Sequence, residues 1–273
     1  MAQTKLKIGV MTGFGENPEE SIQKVQSLGL PSCQMGISAS EPKERFKRLM
    51  AAAEAAGVEI TTFWVGLPGP SKWNFLEGPG TIGFVPEKWR AERVEAVKKG
   101  ARLAGEFGVA SVTTHAGFIP ENPGDPVYAA VVAALKEIAL VGKEVGVEFW
   151  FETGQETPVC LLRTIQDIGT DNLGINLDPA NLLMYGRANP IDALDVFGQY
   201  VRGVHAKDGE YPTNGRELGV EKPLGEGRVN FPVLIPKLKA LGFRGALTIE
   251  REIKGPKQTE DIMRAIELLK PLC

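Results

Sequence analysis

A chain of 273 residues that is 43% hydrophobic and 24% charged carries enough apolar material for a large core, which excludes a disordered or fibrous protein. Lys and Arg number 31 against 34 Asp and Glu, a formal charge of −3 with no basic block, so a nucleic-acid partner is not expected. Cys33, Cys160 and Cys273 are an odd set without a C-x-x-C pair, which argues for a reducing compartment and against a disulfide framework or a Cys-rich zinc site. The chain passes from Lys5 and Lys7 into Ile8 without a signal-peptide apolar region, and no stretch approaches membrane-spanning length. The expected location is the cytoplasm, with no membrane partner.

Short apolar runs alternate with longer amphipathic ones at a nearly constant beat, the pattern of repeated β-α units on a parallel sheet. The predicted strands are Lys7 to Met11, Ser32 to Ile37, Val58 to Val65, Ala110 to Thr114, Val147 to Phe151, Leu173 to Leu177, Val201 to Ala206 and Ala246 to Glu250. After the first strand, Gly13-Phe14-Gly15 imitates a dinucleotide fingerprint, but Pro18 stands at its third glycine position and reads as a helix start. Pro42 to Ala56 and Pro86 to Phe107 have helical apolar spacing, with Gly57 and Gly108 placed as C-terminal caps. Pro158 opens another helix and Gly169 ends it. Eight units without a composition break favour an α/β fold consisting of a single (β/α)8 TIM barrel over residues 1–273, with an open doubly wound sheet as runner-up.

Two connections exceed the usual length. Leu67 to Val85 is rich in Gly and Pro with Trp73, Phe75 and Phe84 among them, and reads as a lid that could cover a substrate or as a satellite apolar cluster. Gly209 to Asn230, with Arg216, Glu226 and Arg228 near Gly225 and Gly227, follows the seventh strand, where barrels often bind anionic groups.

Glu152, Asp178, His205 and Glu250 each stand at or next to the C-terminal end of one of four successive apolar runs, in a chain with only two histidines. An ionised group there is costly unless paired or bound to a cation, so three carboxylates and an imidazole make a divalent metal site the first hypothesis. Oxygen-rich donors with one imidazole suit Mn2+ or Mg2+, with Co2+ or Zn2+ less favoured, since catalytic zinc more often takes two or three His or Cys. Glu152 and Glu250 come from strands three places apart around the ring and can reach a substrate from different sides, one removing a proton and the other returning it. His115, at the end of strand four, could hydrogen-bond a substrate oxygen. Lys207 and Glu156 are further candidates by placement, as are Trp73 in the lid and Arg216 in the second long loop.

The runs Phe151-Glu152-Thr153-Gly154-Gln155-Glu156, Asn176-Leu177-Asp178-Pro179-Ala180-Asn181, His205-Ala206-Lys207-Asp208 and Pro223-Leu224-Gly225-Glu226-Gly227, leading to Thr248-Ile249-Glu250, resemble the xylose isomerase-like TIM-barrel superfamily of sugar (phosphate) isomerases and epimerases. Its relatives include ketose 3-epimerases, hydroxypyruvate isomerase, inosose dehydratase and endonuclease IV. The resemblance implies that Glu152, Asp178, His205 and Glu250 are metal ligands, that Glu152 and Glu250 double as the acid/base pair, and that the partner is a small carbohydrate. It leaves a homo-oligomer open. Ketose 3-epimerases carry a histidine where this chain has Asn181, so their substrate contacts do not transfer there, although Asn181 itself remains a candidate for substrate binding. Endonuclease IV needs a histidine-rich zinc cluster that His115 and His205 alone cannot build. The expected activity is therefore a metal-dependent isomerase or epimerase working through an enediolate, with a keto-inositol or keto-sugar dehydratase as the alternative.

Overall fold

A computed structural model describes residues 5–273. The strands in chain order are β1 (Lys7–Gly13), β2 (Ser32–Ile37), β3 (Glu59–Val65), β4 (Ser111–His115), β5 (Glu148–Glu152), β6 (Leu173–Leu177), β7 (Val201–Ala206), β8 (Asp208–Gly209), β9 (Glu221–Lys222) and β10 (Ala246–Ile249). β1 to β7 and β10 form a closed parallel barrel, with β10 pairing to both β7 and β1. The runner-up open sheet is thereby excluded. The remaining pair, β8 and β9, is a small antiparallel ribbon outside the barrel.

The helices are α1 (Pro18–Ser27), α2 (Lys43–Ala56), α3 (Glu87–Phe107), α4 (Pro126–Glu144), α5 (Pro158–Ile168), α6 (Pro179–Met184), α7 (Pro190–Phe197), α8 (Phe231–Ala240) and α9 (Pro256–Leu269). Gly57, Gly108 and Gly169 end α2, α3 and α5 in the left-handed conformation, as their placement in the sequence predicts. Between helices and strands lies an apolar layer in which Ile22, Phe46, Leu49, Phe63, Val97, Leu135, Phe197 and Leu234 are fully buried. Each such side chain contributes roughly 1.5–3 kcal/mol of transfer free energy, an upper bound because denatured chains are already partly collapsed.

The barrel interior is more polar than that outer layer. Gln34 Nε2 donates to Asn176 Oδ1 at 2.8 Å across the lumen, and the hydroxyls of Thr62 and Thr113 meet at 2.9 Å. A Cβ on Gly203 would lie 2.5 Å from Asn176 Oδ1, so only glycine leaves room for that amide pair. These polar layers carry the interior up to the C-terminal ends of the strands.

Boundaries move by one or two residues where pairing decides them, β1 running on to Gly13 opposite Gly36. His115 and Glu152 sit within β4 and β5 because they are ladder partners, whereas the last barrel strand stops at Ile249 and leaves Glu250 beyond it. The short helices α6 and α7 and the two-residue strands β8 and β9 lie inside stretches that the sequence pattern leaves as connections, since so few residues show no period. None of the helices among the described residues is long and apolar enough to cross a membrane.

Candidate metal centre

Each member of the central cluster is placed by a different piece of backbone. Glu152 closes β5, His205 lies in β7 opposite Thr248 of β10, and Glu250 follows β10 directly. Asp178 is the N-cap of α6: its Oδ1 accepts from the Asn181 N–H at 2.8 Å, which turns the other oxygen away from the helix. One ligand atom from each of the four residues lies within 4.8 Å of the other three. Asp178 Oδ2, His205 Nδ1 and Glu250 Oε2 are buried without a hydrogen-bond partner. Three orphaned atoms converging in this way fit a cation, because leaving them unsatisfied costs about 1–3 kcal/mol each or more where charged.

The second layer fixes the ligands. His205 Nε2 donates to Gln34 Oε1 at 2.8 Å, with Gln34 held in turn by Asn176, and this aims Nδ1 at Glu152 Oε1, 3.0 Å away, and Glu250 Oε2, 3.2 Å away, where a cation would displace its proton. The Trp64 indole N–H donates to Glu152 Oε2, so that carboxylate presents its other oxygen to the cluster. Lys207, almost fully buried, approaches Asp178 at 3.5 Å, Glu250 at 3.3 Å and Glu252 at 2.7 Å.

The electrostatics follow from these contacts. Burial opposes charge on Lys207 and His205, yet the surrounding carboxylates outweigh it and hold both well above their usual values. Burial likewise raises Glu250, but Lys207 and His205 bring it well below the ordinary carboxylate range. Asp178 is pushed up to about 8 by burial despite Lys207, and a divalent cation beside it would favour its charged form. Burial lowers His115, partly countered by Glu152 at 3.6 Å from its Nε2, so its imidazole is neutral; Nδ1 is buried, and Nε2 is the ring nitrogen on the side of the cluster.

The cluster opens into a cavity of about 320 Å³ lined by Met11, Trp64, Trp73, His115, Glu152, Asn181, Met184, Tyr185, Leu218, Glu250 and Glu252. Such a volume lies at the small end of ligand pockets, which run from roughly 300 to 1,000 Å³. A model of the xylose isomerase-like TIM barrel matches residues 22–272. The chain belongs to that family. A crystallised xylose isomerase domain protein from Planctomyces limnophilus is 34% identical, with a TM-score of 0.92 over 98% of this chain and 97% of the other. A crystallised D-psicose 3-epimerase, solved in the presence of D-fructose, shares the fold at a TM-score of 0.73 and 16% identity over 98% and 99% of the two chains. The uncharacterized protein MJ1311 of Methanocaldococcus jannaschii is 29% identical over 195 residues, a match covering 67% of this chain and 63% of that relative's length.

Within this xylose isomerase-like barrel, most of the residues singled out in the sequence come together. His115, Trp73 and Asn181 line the cavity with the cluster, and Lys207 lies at its floor. Asn181 has both ends of its amide engaged, accepting from Lys207 and donating to the Thr153 carbonyl, each at 3.3 Å. Glu156 and Arg216 stand outside the lining. Glu156 is buried with neither oxygen bonded, its carboxyl pushed up to about 8 by burial, whereas Arg216 is exposed on the second long loop. That loop does not present an open anion site either: the backbone N–H groups of Gly209, Gly225, Gly227 and Val229 all donate to the Asp208 carboxylate at 2.9–3.1 Å. Sequence reasoning missed Trp64, Glu252 and Gln34. Trp64 is hidden in an apolar run, Glu252 follows Glu250 by two residues in an irregular stretch, and Gln34 is the lone amide in a buried strand, a signal that could have been read.

The segment 67–85 divides between the two readings open to it. Phe84 is core, and Gly83, at φ +68°, passes so close to Ala116 that a Cβ would overlap its carbonyl. Buried Arg93 ties the base of the segment, donating to the carbonyls of Pro68, Pro70 and Gly83 at 2.6–3.0 Å. The tip is different: Trp73 is 47% exposed, its ring 4.9 Å from that of His115, and Phe75 meets Tyr185 edge-on. Trp73→Ala is expected to raise KM for a sugar substrate and lower kcat while leaving the thermal midpoint nearly unchanged, since the ring covers the cavity and not the core. Steady-state kinetics check this. A Trp73→Ala protein with the parent KM, together with a loop whose protease sensitivity ignores saturating sugar, removes the lid.

Proposed function

We propose that this protein is a divalent-metal-dependent isomerase or epimerase of a small sugar or sugar-like hydroxy-carbonyl compound. The observation that carries the reading is the convergence of the orphaned Asp178 Oδ2, His205 Nδ1 and Glu250 Oε2 with Glu152 at the floor of an aromatic-walled cavity. Family membership and the fold shared with a sugar epimerase support it. Glu152, Asp178, His205 and Glu250 would hold the cation, and three carboxylates with one imidazole suit Mn2+ or Mg2+ best. The cation supplies Lewis acidity, which polarises a carbonyl and eases loss of the neighbouring C–H proton.

The remaining work falls to the chain's own side chains. Glu152 and Glu250, both lining the cavity from strands on different sides of the ring, take the proton from one face of the substrate carbon and return it from the other or to the adjacent carbon. Glu152 is steadied for this by the Trp64 N–H, and Glu250 is kept ionised by Lys207 at 3.3 Å. Neutral His115 offers its Nε2, 3.6 Å from Glu152, to a substrate oxygen. Trp73 shields the enediolate from bulk water.

Incubation with a panel of ketoses and keto-inositols in deuterated water with Mn2+ or Mg2+, read by NMR, tests the proposal. Deuterium at a carbon next to the carbonyl, together with inverted configuration or aldose–ketose exchange, is the expected result. A new alkene or deoxy-ketone without label return identifies a dehydratase and overturns it.

A further inference from the structure

Building on the isomerase or epimerase reading, we infer that the cavity selects an uncharged, unphosphorylated monosaccharide or cyclitol-type ketone and rejects its phosphate esters. The residues that line it include three carboxylates, Glu152, Glu250 and Glu252, and neither Lys nor Arg. Lys207, at the floor, is committed to Asp178, Glu250 and Glu252. With a divalent cation bound and Lys207 charged, the four carboxylates Glu152, Asp178, Glu250 and Glu252 still leave one negative charge uncompensated. A phosphate ester, carrying roughly −1.5 to −2 at neutral pH, would enter that field against repulsion.

Most cations elsewhere on this face are engaged or turned outward. Arg251 pairs with Glu221 and Asp261, each at 2.9 Å, and Lys222 lies 3.3 Å from Glu210, whereas Arg187, over the Phe118 ring at 5.6 Å with its Nε unpartnered, stands behind the aromatic wall and outside the lining. The glycine loop after β7, the part of a barrel suited to a phosphate, is filled by the protein's own Asp208. A Cβ on Gly227 would lie 2.1 Å from Asp208 Oδ1, which shows how tightly the loop is wrapped on that carboxylate. What the cavity does offer is apolar and aromatic surface from Trp64, Trp73, Tyr185, Met11, Met184 and Leu218, beside acceptors for hydroxyl hydrogens. That is the chemistry of a neutral polyol, with C–H faces against rings and O–H groups toward carboxylates.

The quenching of Trp64 and Trp73 in the magnesium-loaded protein gives a binding signal that does not depend on turnover. Titrations with D-fructose, D-tagatose and D-psicose are compared with D-fructose 6-phosphate and with inorganic phosphate, at constant free Mg2+. The expected result is at least about tenfold tighter binding of a free ketose than of the ester, with the gap narrowing in Glu252→Gln as one repelling charge is removed. An ester that binds as tightly as the free sugar overturns the inference, and loss of that affinity in Arg187→Ala or Arg216→Ala assigns that arginine as a phosphate clamp. If the ester alone incorporates solvent deuterium, the isomerase reading stands and this inference falls. Absence of binding by every sugar in the presence of Mg2+ removes both.

Discussion

Asp178→Ala and His205→Ala should each weaken Mn2+ or Mg2+ binding by at least about 100-fold, because even the outer partners of metal ligands are worth about 10–100-fold. Each change takes away one of the three orphaned buried atoms that converge on the same point. His205 contributes the one imidazole of the four and is held with its Nδ1 aimed into the cluster by the chain through Gln34 to Asn176. Asp178→Ala also deletes the N-cap of α6, a loss of about 0.5–2 kcal/mol that could lower metal content simply by loosening the helix. Asp178→Asn separates the two effects, since the amide oxygen can still accept from the Asn181 N–H while the charge is gone. The expected pattern is metal loss in all three proteins, with circular dichroism and thermal midpoint close to the parent in Asp178→Asn. Calorimetric titration and elemental analysis provide the measurement. Parent-level metal content in both Asp178→Asn and His205→Ala would remove the metal centre and the chemistry built on it.

Much of this architecture is legible in the sequence because its signals are periodic and local. The β-α beat, Pro18 and Pro158 at helix starts and Gly57, Gly108 and Gly169 at helix ends come from backbone preferences that need no tertiary context. Four ionisable residues at the ends of successive apolar runs are legible for the same reason: burial makes each of them expensive alone. What stays hidden depends on contacts between distant segments. Gln34 and Asn176 are 142 positions apart, and neither signals that together they set the tautomer of His205. Glu252 acquires meaning only from Lys207, and Trp64 looks like any strand tryptophan until its N–H reaches Glu152. The glycines near Gly225 and Gly227 read as an open anion loop because the sequence cannot show that Asp208 folds back into it. Arg216 looks equally suited to a substrate anion by position along the chain, yet the ribbon of β8 and β9 leaves it facing solvent.

Glu152→Gln and Glu250→Gln should each reduce isomerisation or epimerisation by about 10²–10⁴, the contribution typical of one positioned acid or base. The two carboxylates lie three strands apart around the barrel and both border the cavity, so each reaches its own side of a planar enediolate. An amide keeps an oxygen that can still ligate a cation, but it cannot take up the proton. A two-base site therefore predicts an asymmetry: with one base removed, the surviving carboxylate still exchanges a substrate proton with solvent from its own face, while product fails to form. Mass spectrometry of substrate recovered from deuterated water detects that exchange, and chromatography of the product detects turnover. Bound metal has to be measured in each variant first, because loss of the cation would abolish both readouts and imitate the loss of a base. Glu250 is the more exposed of the pair to that confusion, since its Oε2 is one of the orphaned atoms, whereas Glu152 retains the Trp64 N–H on its second oxygen. A dehydratase, needing one base and an acid for the departing hydroxide, would keep partial turnover after one of the changes. Near-parent turnover in either variant with metal still bound rules out two bases and transfers the assignment to the lyase.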